Sequence, residues 1–181
     1  MKRVLLCLTA CVFFIACNDD KTKTADAVVD KSATPADKPP ADLPYTATYS
    51  SSWNQDVSDA DLKMVLTTYK NWSDGNISEL AKGMADTVTV EMATGTRITK
   101  SNADLMKIWS TNRDSLSSVR IEMGGWNKMH STDKNTSFVV TWYKEYDTYK
   151  DGKIDSADYH DINQIMNGKI SWYSTYKRAL K

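Results

Sequence analysis

Val119-Arg120-Ile121-Glu122-Met123 alternates apolar and charged side chains, the period of two expected of a strand with one buried face. It follows Ser117-Ser118, and the pattern on the two sides of that pair is different. Toward the C-terminus, Phe138-Val139-Val140-Thr141-Trp142-Tyr143 is rich in branched and aromatic residues, which fit a pleated surface. Tyr159 to Met166 and Ile170 to Tyr176 continue in the same style around Asn167-Gly168, a dipeptide suited to a two-residue hairpin turn.

Toward the N-terminus the spacing becomes helical. Leu62, Val65, Leu66, Tyr69 and Trp72 recur every three or four residues between Asp59-Ala60-Asp61, which can cap a helix, and the stop at Asp74-Gly75. Asn76 to Leu80 opens a second, shorter helix through Gly83-Met84, and Thr87 to Met92 reads as a strand. A turn at Gly95 and a short strand near Arg97-Ile98 follow. Ser101 to Asp104 then starts a third helix carrying Leu105, Ile108, Trp109 and Leu116. Three helices followed by long antiparallel strands predict an α+β domain with a single core over residues 58–181. Met64, Met84, Met106 and Met123 are expected to fill that core.

The first 57 residues are of another kind. Met1-Lys2-Arg3 is basic, and Val4 to Ile15 is an uncharged apolar run. It is too short for a bilayer, which takes about 20 residues, so residues 1–17 read as a cleaved export signal. Phe14-Ile15-Ala16-Cys17 resembles the lipobox of bacterial lipoproteins. That resemblance implies lipid on Cys17 and a membrane as partner, in the cell envelope. Asn18-Asp19-Asp20 resembles the acidic start of some surface-displayed lipoproteins, which favours the outer membrane. Residues 18–57 hold all four prolines and few large aliphatic residues, so they predict a disordered tether, with a reach of roughly 30–35 Å as a coil.

These boundaries exclude several chemistries. All three cysteines, Cys7, Cys11 and Cys17, lie at or before the cleavage point, which leaves the domain no thiol for a disulfide, a thiolate metal site or a nucleophile. The chain carries 23 basic and 23 acidic side chains, and without a basic stripe nucleic acid is not an expected partner.

Three landmarks coincide along the domain: Trp72-Ser73-Asp74-Gly75-Asn76 ending the first helix, Met84 to Glu91 entering a strand, and the hairpin Asn163 to Ile170. Together they resemble the nuclear transport factor 2-like superfamily, particularly its SnoaL-like branch, over nearly all of residues 58–181. The resemblance implies a curved sheet wrapped around helices, forming a cone with a pocket at its open end. It implies no single activity, because the superfamily hosts isomerases, cyclases, dehydratases, binding domains and dimerisation modules.

Laid on the ketosteroid-isomerase branch, the resemblance sets Glu91 at the general base. It sets Asp161 at the protonated aspartate that donates to an enolate oxygen; such chemistry needs a proton acceptor beside a neutral acid. Thr68 stands where that branch has a tyrosine donor, and Tyr69 lies one residue along, so half of the oxyanion hole departs from the pattern. Thr68, Tyr69, Trp72, Trp142, Tyr159, Asn163 and Trp172 are candidates to line the pocket. Alternation puts His160 and Asp161 on opposite faces of their strand. His130 is expected to be solvated in a polar turn, Lys128 to Asn135, and with no cysteine available no metal site and no cofactor is expected. Asp147 to Asp158 imitates a calcium loop, but Tyr149 stands at its third position, and the plainer reading is a hairpin turning at Asp151-Gly152. Three functions fit: non-catalytic binding of a small, partly apolar molecule; proton transfer by Glu91 and Asp161; and a homodimeric interaction module using the sheet face.

Overall fold

In the computed structural model residues 42–180 are described; Cys17, the apolar run before it and the tether as far as residue 41 lie outside the described residues. Helix α1, Asp59–Asp74, starts at Ser58, whose side chain accepts from the Asp61 amide, and ends at Gly75 in the left-handed conformation (φ 77°). That residue's missing Cβ makes the conformation inexpensive. Helix α2 spans Ile77–Lys82. Helix α3, Asn102–Asp114, is capped by Ser101, whose hydroxyl accepts from the Asp104 amide. Among the described residues no helix is long and apolar enough to cross a membrane.

The strands are β1 (Trp53–Asn54), β2 (Met84–Glu91), β3 (Arg97–Ser101), β4 (Leu116–Ser131), β5 (Thr136–Tyr149), β6 (Ile154–Met166) and β7 (Lys169–Ala179), in one sheet of order β1-β4-β5-β6-β7-β2-β3. All neighbours are antiparallel except β2 and β7. Register shifts in β4 between Leu116 and Ser118 and between Met123 and Gly125, and at Gln164/Ile165 in the β6–β7 pair, add local twist and bend the sheet. Its inner face holds the helices. The β6–β7 turn uses Asn167 and Gly168, both at positive φ (52° and 71°), as a two-residue turn of the primed type requires.

The core gathers where helices meet the β2, β5, β6 and β7 walls: Val65, Leu80, Met84, Val88, Val90, Leu105, Val139, Ile165 and Ile170 are all buried. Arg113 staples this layer together. Its guanidinium donates to the carbonyls of Trp72 (3.1 Å), Ser73 (3.2 Å) and Leu116 (3.3 Å), satisfying the end of α1 and tying it to the start of β4.

Three local expectations change. The folded body reaches back before Ser58, because Trp53 and Asn54 pair with Ser131 and His130 and the rings of Tyr49 and Trp53 pack on Phe138; the aromatic residues in that stretch have apolar surface to bury. His130 lies in β4, half-buried, with Nδ1 3.0 Å from the Ser137 hydroxyl; the turn is confined to residues after Ser131. Leu116 begins β4 instead of closing α3, since the helix ends at Asp114. The Asp147–Asp158 stretch is a β5–β6 hairpin with Gly152 at φ 86°.

Gly83 sits where β7 meets the helices, its carbonyl accepting from the Ile170 amide (2.9 Å). A Cβ there would stand 2.6 Å from Cγ2 of Thr68, a branched side chain with little room to turn. Gly83→Ala is therefore expected to cost about 1–3 kcal/mol in urea unfolding. Adding Thr68→Ser, which removes only that methyl, should recover most of the loss.

Candidate functional site

Strand parity builds the site. In β5 the buried residues Val139, Thr141, Tyr143 and Glu145 alternate with exposed Trp142 and Lys144, and their register partners on β6 share their face. Val139 opposes Asn163, Thr141 opposes Asp161 and Tyr143 opposes Tyr159. One strand further, Tyr173 opposes Asn163 and Thr175 opposes Asp161. The inner face of β5 thus passes from the core at Val139 to two acids, Glu145 and Asp147, at the other end. There α1 and α3 leave a cavity of about 420 Å³, within the range of small-molecule sites.

Asp161 is the polar centre of this space. It is 5% exposed, and its Oδ2 accepts from the hydroxyls of Tyr143 (2.9 Å) and Tyr69 (3.0 Å). Tyr69 spends its only proton on Asp161, so its oxygen accepts from the Asn163 amide (3.0 Å) and from the Thr141 hydroxyl (2.8 Å). Asn163 gives its second amide hydrogen to the Val139 carbonyl (3.2 Å). Helix α1 is therefore pinned to the sheet by one fully used hydroxyl. Asp161 Oδ1 makes no hydrogen bond of normal geometry, although the Thr175 hydroxyl stands close to the carboxyl.

Burial raises the Asp161 carboxyl to about 6, against the hydrogen bonds of Tyr143 and Tyr69 and the nearby Thr175 hydroxyl, which pull it down. Glu145 is pushed up to about 8 by burial and then by the charges of Asp147 and Asp161, with the Trp72 indole and Lys177 pulling it back. Asp147 is raised as well, first by burial. The hydroxyls of Tyr69 and Tyr143 are held well above their usual range by burial and by the Asp161 charge beside them, so they remain donors.

The cavity brings together most of the residues read from the sequence: Thr68, Tyr69, Trp72, Tyr159, Asp161 and Asn163 all line it. Glu91 does not. Val88 and Val90 point into the core, so parity turns Glu91 to the other face, where it pairs with Arg97 at 3.2 Å. Trp142 and Trp172 are displaced by the same rule: Trp142 lies outside, 42% exposed and stacked on His160 (5.1 Å, 21°), and Trp172 alternates with the lining Tyr173. Tyr143 and Tyr173, two of the strand aromatics that could line a cavity, do line it, whereas Glu145, Asp147, Tyr149 and Trp109 were not expected there. The signal was the β5 alternation Thr141, Tyr143, Glu145, Asp147, Tyr149, whose acids look like a solvated face until β6 is set beside it.

Folding raises both acids, so the native state holds their protons to higher pH than the unfolded chain does. Stability is fullest below the ordinary carboxylate values, 3.8 and 4.5, and falls as pH rises through about 6 for Asp161 and about 8 for Glu145. In urea titrations Glu145→Gln is expected to exceed the parent chain by about 2–4 kcal/mol at about pH 8.5, and by under about 1 kcal/mol at about pH 5.

No family model and no curated protein matches the chain. Solved structures do. An LEH-like epoxide hydrolase from M. tuberculosis superposes with a TM-score of 0.56 at 8% identity, covering 66% of this chain and 83% of the other. An NTF2-like protein of unknown function from Mesorhizobium loti gives 0.52 at 13% identity, covering 69% and 96%. Another from Burkholderia xenovorans gives 0.51 at 14%, covering 68% and 86%. At such identities the likeness concerns architecture alone: the domain has the nuclear transport factor 2-like fold, an α+β cone with a pocket.

Proposed function

We propose that this chain is a membrane-tethered lipoprotein whose domain takes up a small, partly apolar molecule in the cavity around Asp161. The observation that carries the reading is the cavity itself, about 420 Å³, walled by aromatic rings with the Asp161 carboxyl in its lining. Two tyrosine hydroxyls hold that carboxyl in place through its Oδ2. A space of that size, with a few fixed polar groups in a mostly apolar wall, is the usual form of a small-molecule site. The tether and the lipid on Cys17 rest on the lipobox-like sequence and put this uptake in the cell envelope, with the outer membrane favoured.

A second reading has its own support. Asp161 and Glu145 are raised to different degrees, to about 6 and about 8, and two acids set apart in this way can divide the roles of base and acid. In this form the proton-transfer reading uses Asp161 with Glu145, not with Glu91, which lies outside the cavity. The homodimer reading draws on the outer sheet face, where Trp142, His160 and Tyr176 form a row of rings.

A fragment screen by ligand-observed NMR on the full chain tests the binding reading. Hits are expected to be lost in Asp161→Asn and Trp109→Ala and kept in Glu91→Gln and Trp142→Ala. Hits that survive the first pair and vanish in the second would move the site to the outer face and sink the proposal.

A further inference from the structure

Three carboxyl groups, those of Glu145, Asp147 and Asp161, face one cavity whose lining contains no lysine, arginine or histidine. The cations around it are already engaged. Arg113 on α3 donates to backbone carbonyls, and Lys177 on β7 is held by Asp155 at 3.0 Å. Two carboxyl oxygens, Asp161 Oδ1 and Asp147 Oδ1, are buried without a hydrogen-bond partner. The lining therefore holds three acidic side chains and no basic one, with Lys177 and Arg113 acting on Glu145 and Asp147 only from outside it.

The rest of the wall is aromatic, with seven rings lining the cavity. Tyr143 and Tyr159 stack in parallel (5.2 Å, 9°), and Trp109 tilts against Tyr173 at 5.9 Å. Aromatic faces carry negative potential and attract cations, more strongly where water is excluded. An anion would meet three carboxyls. A neutral hydrocarbon would gain nothing from the three carboxyl groups. A bare metal ion needs its ligands to converge, and among the described residues no three acidic or histidine side chains do so.

We infer that the cavity selects a small organic cation, an alkylated ammonium whose charged end faces Glu145, Asp147 and Asp161 while its hydrocarbon lies on the tyrosine and tryptophan rings. The inference rests on the cavity being the binding site proposed above. It carries a proton linkage. A fixed positive charge favours the ionised carboxyls, so binding expels the protons that burial retains, and affinity rises with pH across the range where these acids titrate. The groups facing that titration are Tyr69 and Trp72 on α1, Arg113 on α3, Asp147 and Tyr143 on β5, Asp155 and Tyr159 on β6, and Tyr173, Thr175 and Lys177 on β7. The Tyr159 hydroxyl is held up at about 12, first by burial, and does not titrate in this range.

Three molecules of one shape separate charge from size: choline, its neutral carbon isostere 3,3-dimethylbutan-1-ol, and the anion 3,3-dimethylbutanoate. Calorimetry on the full chain at about pH 8 is expected to give choline at least about tenfold tighter binding than the alcohol, with protons released, and no binding of the anion. The preference should shrink toward parity at about pH 5. Asp161→Asn and Glu145→Gln should each reduce choline binding more than alcohol binding, while Trp142→Ala leaves both unchanged. Alcohol binding as tight as choline's and sensitive to Trp109→Ala would overturn the cation inference and leave the pocket reading standing. Binding of the anion, or of none of the three, would also overturn it, and the fragment screen then decides the pocket reading on its own.

Discussion

Everything distinctive about this domain follows from one constraint: acids have been put under an aromatic roof with no basic side chain in the lining beside them. Asp161, Glu145 and Asp147 occupy the inner face of a curved sheet, where low polarity disfavours charge. Two solutions coexist. Tyr69 and Tyr143 give Asp161 hydrogen bonds, which support the charged form, and Glu145 moves toward neutrality. The Tyr69 hydroxyl has three partners on β5 and β6, so the group that tunes Asp161 also fixes α1 to the sheet. Packing and electrostatics are the same set of atoms here.

That arrangement costs stability above the acidic range and gives the cavity its character. A protein interested only in folding would fill these positions with leucine and phenylalanine, since buried charges are commonly replaced at no loss by apolar residues of similar size. The apolar half of the same sheet, around Val139, Ile165 and Ile170, was built in that way. The division between the halves falls between Val139 and Thr141 on a single strand. A ligand site grafted onto a conventional core explains it, as the fold itself is indifferent to which chemistry its open end carries.

Much of the architecture was legible in the chain. The helical spacing of Val65, Tyr69 and Trp72, the stop at Gly75 and the Asn167-Gly168 turn act locally, and each formed where it was read. Asp161 was set by the resemblance, Tyr159 and Asn163 share its face because β6 alternates, and Tyr69 recurs on the apolar side of α1. The failures share one cause. Which face of a strand is inner depends on its neighbours, and one residue of parity moves every side chain across the sheet. Glu91, Trp142 and Trp172 were placed by resemblance or by size, whereas Val90, Tyr143 and Tyr173 next to them hold the inward positions. Glu145 and Asp147 were passed over for the complementary reason: acids on a strand usually face water, and only the β5–β6 register reveals that these do not.

The most direct measurement is a side-chain carboxyl titration by carbon-detected NMR on the chain without ligand. It reads the protonation of Glu145 and Asp161 one group at a time. Glu145 is expected still to carry its proton at neutral pH and to lose it near 8, with Asp161 titrating near 6. Both carboxyls titrating at about 4, as exposed acids do, would mean that water fills the site and that the acid cavity on which this account depends does not exist.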